Sequence, residues 1–372
     1  MRLSLYIHIP FCRYKCAYCD FVSYPLLKED IEKQYVDRLL EEIDWWHQAL
    51  PDATLYTAYI GGGTPSALPL SLLEKIVLKV RKWGGPVEFT VEANPEDISR
   101  DWLSHIISMG INRVSVGVQT LSDELLSAWN RKHTAKDSIR AIEYLASSGI
   151  NFNVDMIYPT YLPYGISMSF RRDIKAIVAM KPNHMSVYMM DIHEGTLAHA
   201  LIRGGKWGPV EEDILYEDMV WLYNFMGDMG YHHYEISNFA LSGYESKHNI
   251  VYWYQDFYVG VGVSAWGFVN FVRYENVPTI KDYLQGSIQR KHEVVKGKDL
   301  LTEYGLMALR LIGEGISRFR WERLGGDWST LISRAIDMEC VQITDDRLFV
   351  KDSPECIMLS NSVIEEMLEP WL

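Results

Sequence analysis

Cys12, Cys16 and Cys19 fall within eight residues, spaced C-x3-C-x2-C, directly after the apolar run Leu3–Ile9. Thiolates are the natural ligands of iron–sulfur clusters, and a cubane cluster normally takes four of them. A loop with three leaves one iron without a protein ligand, where a small chelating cofactor can bind and exchange electrons with the cluster. Other readings are possible. A structural zinc site needs four ligands, usually two pairs across a longer spacer, and here only His8 lies near. Covalent haem attachment wants C-x2-C-H, which is absent. Unrelated buried thiols pack as small hydrophobes. The flanking Phe11, Tyr18 and Phe21 favour the cluster, because apolar rings shield it from water. Cys340 and Cys356 lie far off and are expected to be unpaired core thiols.

Five further groups could do chemistry beside that loop. Gly61-Gly62-Gly63-Thr64-Pro65 permits positive φ and lets backbone groups approach a ligand. No Gly-Lys-Ser/Thr follows, so it is not a phosphate loop. Glu92 stands before an Asn-Pro turn, where it can accept from hydroxyls or an ammonium; a surface charge is the plain alternative. Gln119 suits a hydroxyl as donor and acceptor, or is a satisfied buried amide. Arg131 presents a fork that fits a carboxylate, or a solvated ion pair. Asp155 is a further strand-terminal carboxylate. A second block, His248-Asn249-x-x-Tyr252-Trp253, offers an imidazole beside two aromatics. That combination suits an axial ligand with flat apolar faces for haem, and equally a turn-capping histidine with packed aromatics.

These groups need a scaffold, and the chain supplies a repeating one. Strand-like runs at Leu3–Ile9, Leu55–Ile60, Val87–Val91, Arg113–Val118, Phe152–Ile157 and Met185–Met189 alternate with helix-like stretches, including Glu29–Leu50, Ser71–Trp83, Asp101–Met109, Ala135–Ser148 and Ile166–Met180. Such alternation indicates βαβ units and a parallel sheet. Six units predict a partial or complete barrel of the α/β class. The candidate groups then gather at the C-terminal strand ends, where barrel sites form. Past residue 210 the rhythm changes: a long helix over Glu211–Met229, a polar linker near Gly286–Lys298, a helix over Asp299–Gly313, a strand or hairpin over Gln342–Val350, and a closing helix over Ser362–Leu368.

Composition narrows the partners. With 372 residues, 48% hydrophobic and 23% charged, the chain can hold one barrel and a small appended domain. A net charge of −13 opposes nucleic-acid binding, which needs clustered Lys and Arg. The uncharged run from Phe257 to Val272 has sixteen residues, fewer than the roughly 20 that span a bilayer. Peripheral membrane contact through a local patch stays open. No N-terminal signal and no disulfide framework are expected, which fits the cytoplasm.

Taken together these blocks, with Gly117–Gln119, Asp155–Tyr158, Gly230–Asn238 and Gly305–Gly315, resemble the HemN/HemW family of radical S-adenosylmethionine (SAM) proteins along nearly the whole chain. The resemblance implies a partial (β/α)6 radical SAM barrel over 1–240, a connecting segment over 241–290 carrying the His248 motif, and a smaller α+β HemN-type domain over 291–372. It implies a [4Fe–4S] cluster on Cys12, Cys16 and Cys19. SAM would be held by Tyr6, Tyr18, Gly61, Gly62, Gly63, Thr64, Glu92, Gln119, Arg131 and Asp155. Asp20 and Phe21 follow Cys19 where the oxidase branch has a further cysteine, and only five residues precede Tyr6. The motif instead is similar to that of the haem-chaperone branch, with His248 as haem ligand and Tyr252 and Trp253 beside it. The expected partners are haem, a recipient apo-haemoprotein and a reductant protein for the cluster. A radical SAM enzyme acting on a porphyrin, by oxidative decarboxylation or methyl transfer, is the alternative. One departure is Pro159–Gly165, where the family carries Gly-Leu-Pro-Gly.

Overall fold

In the computed structural model, residues 1–25, 29–286, 289–369 and 371 are described. Six strands come first: β1 (Arg2–Ile9), β2 (Thr54–Gly62), β3 (Glu88–Ala93), β4 (Arg113–Gln119), β5 (Asn151–Tyr158) and β6 (His184–Met189). The helices between them include α1 (Glu29–Ala49), α2 (Leu70–Trp83), α3 (Arg100–Met109), α4 (Ala135–Ser148) and α5 (Phe170–Val178). Adjacent strands pair in parallel, so the predicted (β/α)6 arrangement is present. Helix ends obey local chemistry. Ser99 caps α3, and Thr134 and Asp137 form a capping box on α4.

The strands alternate with an unusual division of labour. Leu3, Leu5, Ile7 and Ile9 on β1 are at most 1% exposed and belong to the main apolar core. Successive side chains point to opposite faces of a strand, so Ser4, Tyr6 and His8 face the other way. Ser4, Thr57, Thr90, Ser115, Asn153 and Ser186 are all buried. The barrel therefore has an apolar outer layer packed on helices and a polar lumen. Buried polar groups must be hydrogen-bonded, which makes the lumen a network and fixes the side chains above it.

The segment over 241–290, expected as a connection carrying the His248 motif, holds regular elements of its own. After α6 (Glu212–Asp228), β7 (His232–Glu235) and β8 (Asn238–Ala240), it supplies α7 (Lys247–Trp253) and strands β9 (Tyr258–Val261), β10 (Trp266–Val269) and β11 (Val272–Asn276). Strand β9 pairs in parallel with β1, as a seventh parallel strand. The polar linker near Gly286–Lys298 likewise contains β12 (Gln289–Val294), antiparallel to β11; Ser287 and Ile288 lie outside the described residues. The full order is β7-β8-β6-β5-β4-β3-β2-β1-β9-β10-β11-β12. Glycines and a charged β12 hid these strands, since neither gives a clean apolar alternation.

A second core begins at Leu301 and runs to Leu368. It holds α8 (Lys298–Ala308), α9 (Arg318–Arg323), α10 (Trp328–Ala335) and a three-stranded antiparallel sheet of Ile316–Ser317, Val341–Ile343 and Arg347–Val350. This is the small α+β unit expected at the C-terminus. Cys340 and Cys356 are not free thiols: they form a disulfide, with their Cα atoms 5.1 Å apart. Their spacing of 16 residues carries no signal; the hairpin brings Cys340 under the helix that holds Cys356.

Candidate functional site

At the C-terminal ends of β1–β6 the strands open on a cavity of about 380 Å³. Cys12, Cys16, Cys19, Tyr18, Gly62, Gly63, Thr64, Glu92, Gln119, Arg131 and Asp155 all line it. Two expected residues do not. Tyr6 and Gly61 lie just beneath: Tyr6 stacks on Tyr59 with centroids 6.2 Å apart and bonds His8 Nδ1 at 3.0 Å. A Cβ on Gly61 would meet Tyr59 and Glu92. The divergent loop over 159–165 contributes no lining residue; Tyr161–Pro163 is tied instead to Trp207–Pro209 in a two-stranded ribbon.

The thiols stand around one wall of the cavity and do not converge on a point. Among the described residues no group of three His, Cys, Asp or Glu closes on a single metal ion. A cluster asks for something else, one thiolate on each of three irons. Two sulfurs already receive hydrogen bonds, Cys12 Sγ from Thr64 Oγ1 at 3.5 Å and Cys16 Sγ from Arg131 Nη1 at 3.4 Å. Donors of this kind tune a cluster's charge. Burial pushes the Cys12 thiol up, and that of Cys19 to about 11, so loading a cluster displaces protons. His8 is no fourth ligand: its Nε2 bonds the Val22 carbonyl at 3.1 Å.

In the same cavity, Glu92 accepts from Tyr59 Oη at 2.7 Å and from the Gly62 N–H at 3.0 Å. Asp155 accepts from Ser115 Oγ at 2.8 Å and Asn153 Nδ2 at 2.7 Å. Burial raises Glu92 to about 7 despite those donors, and Asp155 adds a like charge; Asp155 is itself raised, by burial. Two buried carboxylates facing one cavity favour a cationic ligand. Gln119 sits at φ +70°, at a register shift between β4 and β5. Among the described residues its carboxamide has no hydrogen-bond partner, and it lines the cavity. Arg131 is pinned by Gly117 O at 2.6 Å and Asn94 Oδ1 at 3.0 Å. The set fits SAM: anionic and amide groups for its ammonium and hydroxyls, and a fork for its carboxylate.

Residues 6–162 match the radical SAM superfamily. The chain is 32% identical over 380 residues to the haem chaperone HemW of Lactococcus lactis, covering 98% of this chain and 97% of that protein. The chain belongs to the HemW family. The Bacillus subtilis HemW is 33% identical over 330 residues, covering 85% and 86% respectively. Among solved structures, the coproporphyrinogen III oxidase HemN of Escherichia coli shares the fold, with a TM-score of 0.81, 21% identity, and coverage of 98% of this chain and 89% of that one. Membership of the radical SAM superfamily implies a [4Fe–4S] cluster and SAM.

In this HemW-family chain the His248 block lies elsewhere, in the floor of the lumen. His248 is 1% exposed. Its Nδ1 bonds Thr57 Oγ1 and its Nε2 bonds Tyr252 Oη, both at 2.8 Å. The Lys247 and His248 N–H groups donate to Glu88, and the His248 ring stacks under Tyr59 at 5.1 Å. The expected axial ligand thus has both nitrogens engaged. Trp253 is half-buried with the Arg310 guanidinium 5.2 Å over its ring. His248 bears on the SAM side of the barrel through Tyr59, which positions Glu92. Burial lowers the imidazole to about 3, so it stays neutral when folded. The unfolded chain takes up a proton below about pH 6.5, and stability falls as pH drops through that value. His248→Ala is expected to leave Tyr252 Oη unpaired and Thr57 with Ser4 alone, at about 1–3 kcal/mol, and to lower the melting temperature by several degrees. SAM affinity should weaken a few-fold with it; equilibrium binding and a melt on the same sample check both, and unchanged values would remove the support role.

Sequence reasoning missed Tyr59 and the residues at and just beyond the end of β6. Tyr188, Met189, Met190 and His193 line the cavity, and Tyr188 and Met189 are exposed at its rim. Counting back by two from Gly61 finds Tyr59; nothing in the local sequence marks the others.

Proposed function

We propose that this chain is a cytoplasmic haem chaperone, which binds haem and hands it to an apo-haemoprotein, with a [4Fe–4S] cluster and SAM held in the barrel mouth. The observation that carries this is the near full-length identity to the haem chaperone HemW of Lactococcus lactis. The cavity supports the cluster and SAM part, since three thiols and two carboxylates line it together. No described helix is long and apolar enough to cross a membrane. A reductant protein would supply electrons to the cluster.

The test is anaerobic reconstitution with iron and sulfide, haem titration by absorbance, and then mixing with an apo-haemoprotein behind a size separation. Stoichiometric haem that moves to the acceptor is the expected result. A cluster without any haem binding would overturn the chaperone reading. A porphyrin-modifying enzyme is the second reading, favoured by the open rim at Phe21, Tyr188 and Met189; altered porphyrinogen in the same mixtures would select it.

A further inference from the structure

At the other end of the strands a cleft of about 360 Å³ opens between the sheet and the C-terminal unit, within the range of small-molecule sites. Phe257, just before β9, and Phe271 line it from the sheet; Phe319, Arg320 and Arg323 line it from α9. Two of the rings stand in water, Phe319 at 73% and Phe271 at 46% exposure. Phe271 is also conformationally out of place. Val269 pairs with Val272, so Asn270 and Phe271 form a two-residue hairpin turn, with φ of +50° and +63°. Such turns favour glycine at the second position, and a bulky side chain at positive φ is an outlier that points toward function.

Charge completes the picture. Among the described residues Arg323 has no ion-pair or hydrogen-bond partner. Arg320 bonds Asp256 Oδ1 at 3.3 Å and the Gln255 carbonyl at 3.1 Å. Asp256 is shared with Arg2 at 3.2 Å. Two guanidinium groups thus share a single carboxylate and Arg323 is a third without one, on a chain whose net charge is −13. Flat apolar faces beside surplus guanidinium suit a planar apolar ligand carrying carboxylates, since the arginine fork matches a carboxylate.

We propose that this cleft is the haem seat, with the macrocycle against Phe257, Phe271 and Phe319 and its propionates on Arg320 and Arg323; this rests on the haem-carrying reading above. Among the described residues no His, Cys or Met lines the cleft. Recognition is therefore by ring and carboxylates, and handing haem on breaks no iron–protein bond at this seat. Metal-free protoporphyrin IX should bind as haem does.

The experiment titrates haem and protoporphyrin IX into the cluster-loaded full chain, as wild type, Phe319→Ala and Arg323→Glu. Both altered residues are exposed and remote from the thiols. Wild type is expected to bind both porphyrins with dissociation constants within about threefold, and each variant to weaken both about tenfold with cluster absorbance unchanged. Wild-type affinity in both variants would overturn the seat while leaving the haem reading standing. Haem binding without protoporphyrin binding would also overturn it, by placing recognition at the iron. No binding of either porphyrin to wild type would overturn the seat and the haem reading together. Loss of binding only to phosphatidylglycerol vesicles would make the cleft a membrane contact and overturn the seat.

Discussion

Anaerobically reconstituted Cys12→Ala, Cys16→Ala and Cys19→Ala proteins are expected to carry no intact [4Fe–4S] cluster, and Gly63→Ala to lose it nearly as completely. The cysteine result follows from ligand count, since removing one thiolate leaves two of four irons without a protein ligand. The glycine result follows from packing. A Cβ on Gly63 would stand 2.7 Å from the Phe11 carbonyl oxygen, 2.8 Å from that of Ile9 and 3.0 Å from Cys12 Sγ. Two of these neighbours are backbone and cannot swing aside. The Gly63 and Thr64 N–H groups also donate to those same carbonyls, both at 2.8 Å, so the glycine loop and cysteine loop are one hydrogen-bonded unit. Overpacking usually costs about 1–3 kcal/mol, and here the movement that relieves it displaces a ligand. Iron and sulfide content with the absorbance spectrum checks both predictions. A Gly63→Ala protein with a full complement of iron and sulfide would show that the loops are independent.

That coupling explains which parts of the site the sequence discloses. Cys12, Cys16, Cys19 and the Gly61–Thr64 run are legible because their chemistry demands rare residue types in one short stretch. Glu92 and Gln119 are legible because each falls at the end of an apolar strand, and the parallel sheet brings strand ends together; Asp155 instead lies within β5, with Met156–Tyr158 still paired beyond it. His248 is ambiguous in the sequence for a physical reason. An imidazole between aromatics is equally a ligand waiting for iron and a buried ring satisfied by Thr57 and Tyr252, and partners 191 residues apart leave no trace in local spacing. Strands β9–β12 were missed because Gly260 and Gly262 interrupt an apolar run and because β12 is polar. The cleft at Phe257, Phe271 and Phe319 is invisible for a further reason. It joins two units, and a phenylalanine in a turn carries no local signal of the backbone it adopts.

The second large effect is expected at Glu92, where SAM affinity should rise with pH up to about 7 and Glu92→Gln should lose both the affinity and the dependence. Burial lifts the carboxyl from the ordinary range to about 7, Tyr59 and the Gly62 N–H restrain it, and Asp155 pushes it further up. Between pH 4.5 and 7 the folded protein therefore holds a proton that the unfolded chain has released. This group's contribution to stability is fully present below about 4.5 and is lost as pH rises through 7. A bound cation reverses the preference, because opposite charge favours the carboxylate. Binding below pH 7 must then expel a proton, and the apparent affinity falls as the medium becomes more acid. Glutamine keeps the shape but carries no charge and has a single acceptor, so its oxygen can take the Gly62 N–H while its amide must donate to Tyr59 Oη. Hydrogen bonds to charged groups contribute about 1.5–3 kcal/mol, so Glu92→Gln should bind SAM about 10–100-fold more weakly at pH 8. Calorimetric titration of cluster-loaded protein in buffers of different ionisation enthalpy measures affinity and proton release together. Undiminished affinity in Glu92→Gln, or proton release that persists in it, would move the cation's partner to Asp155.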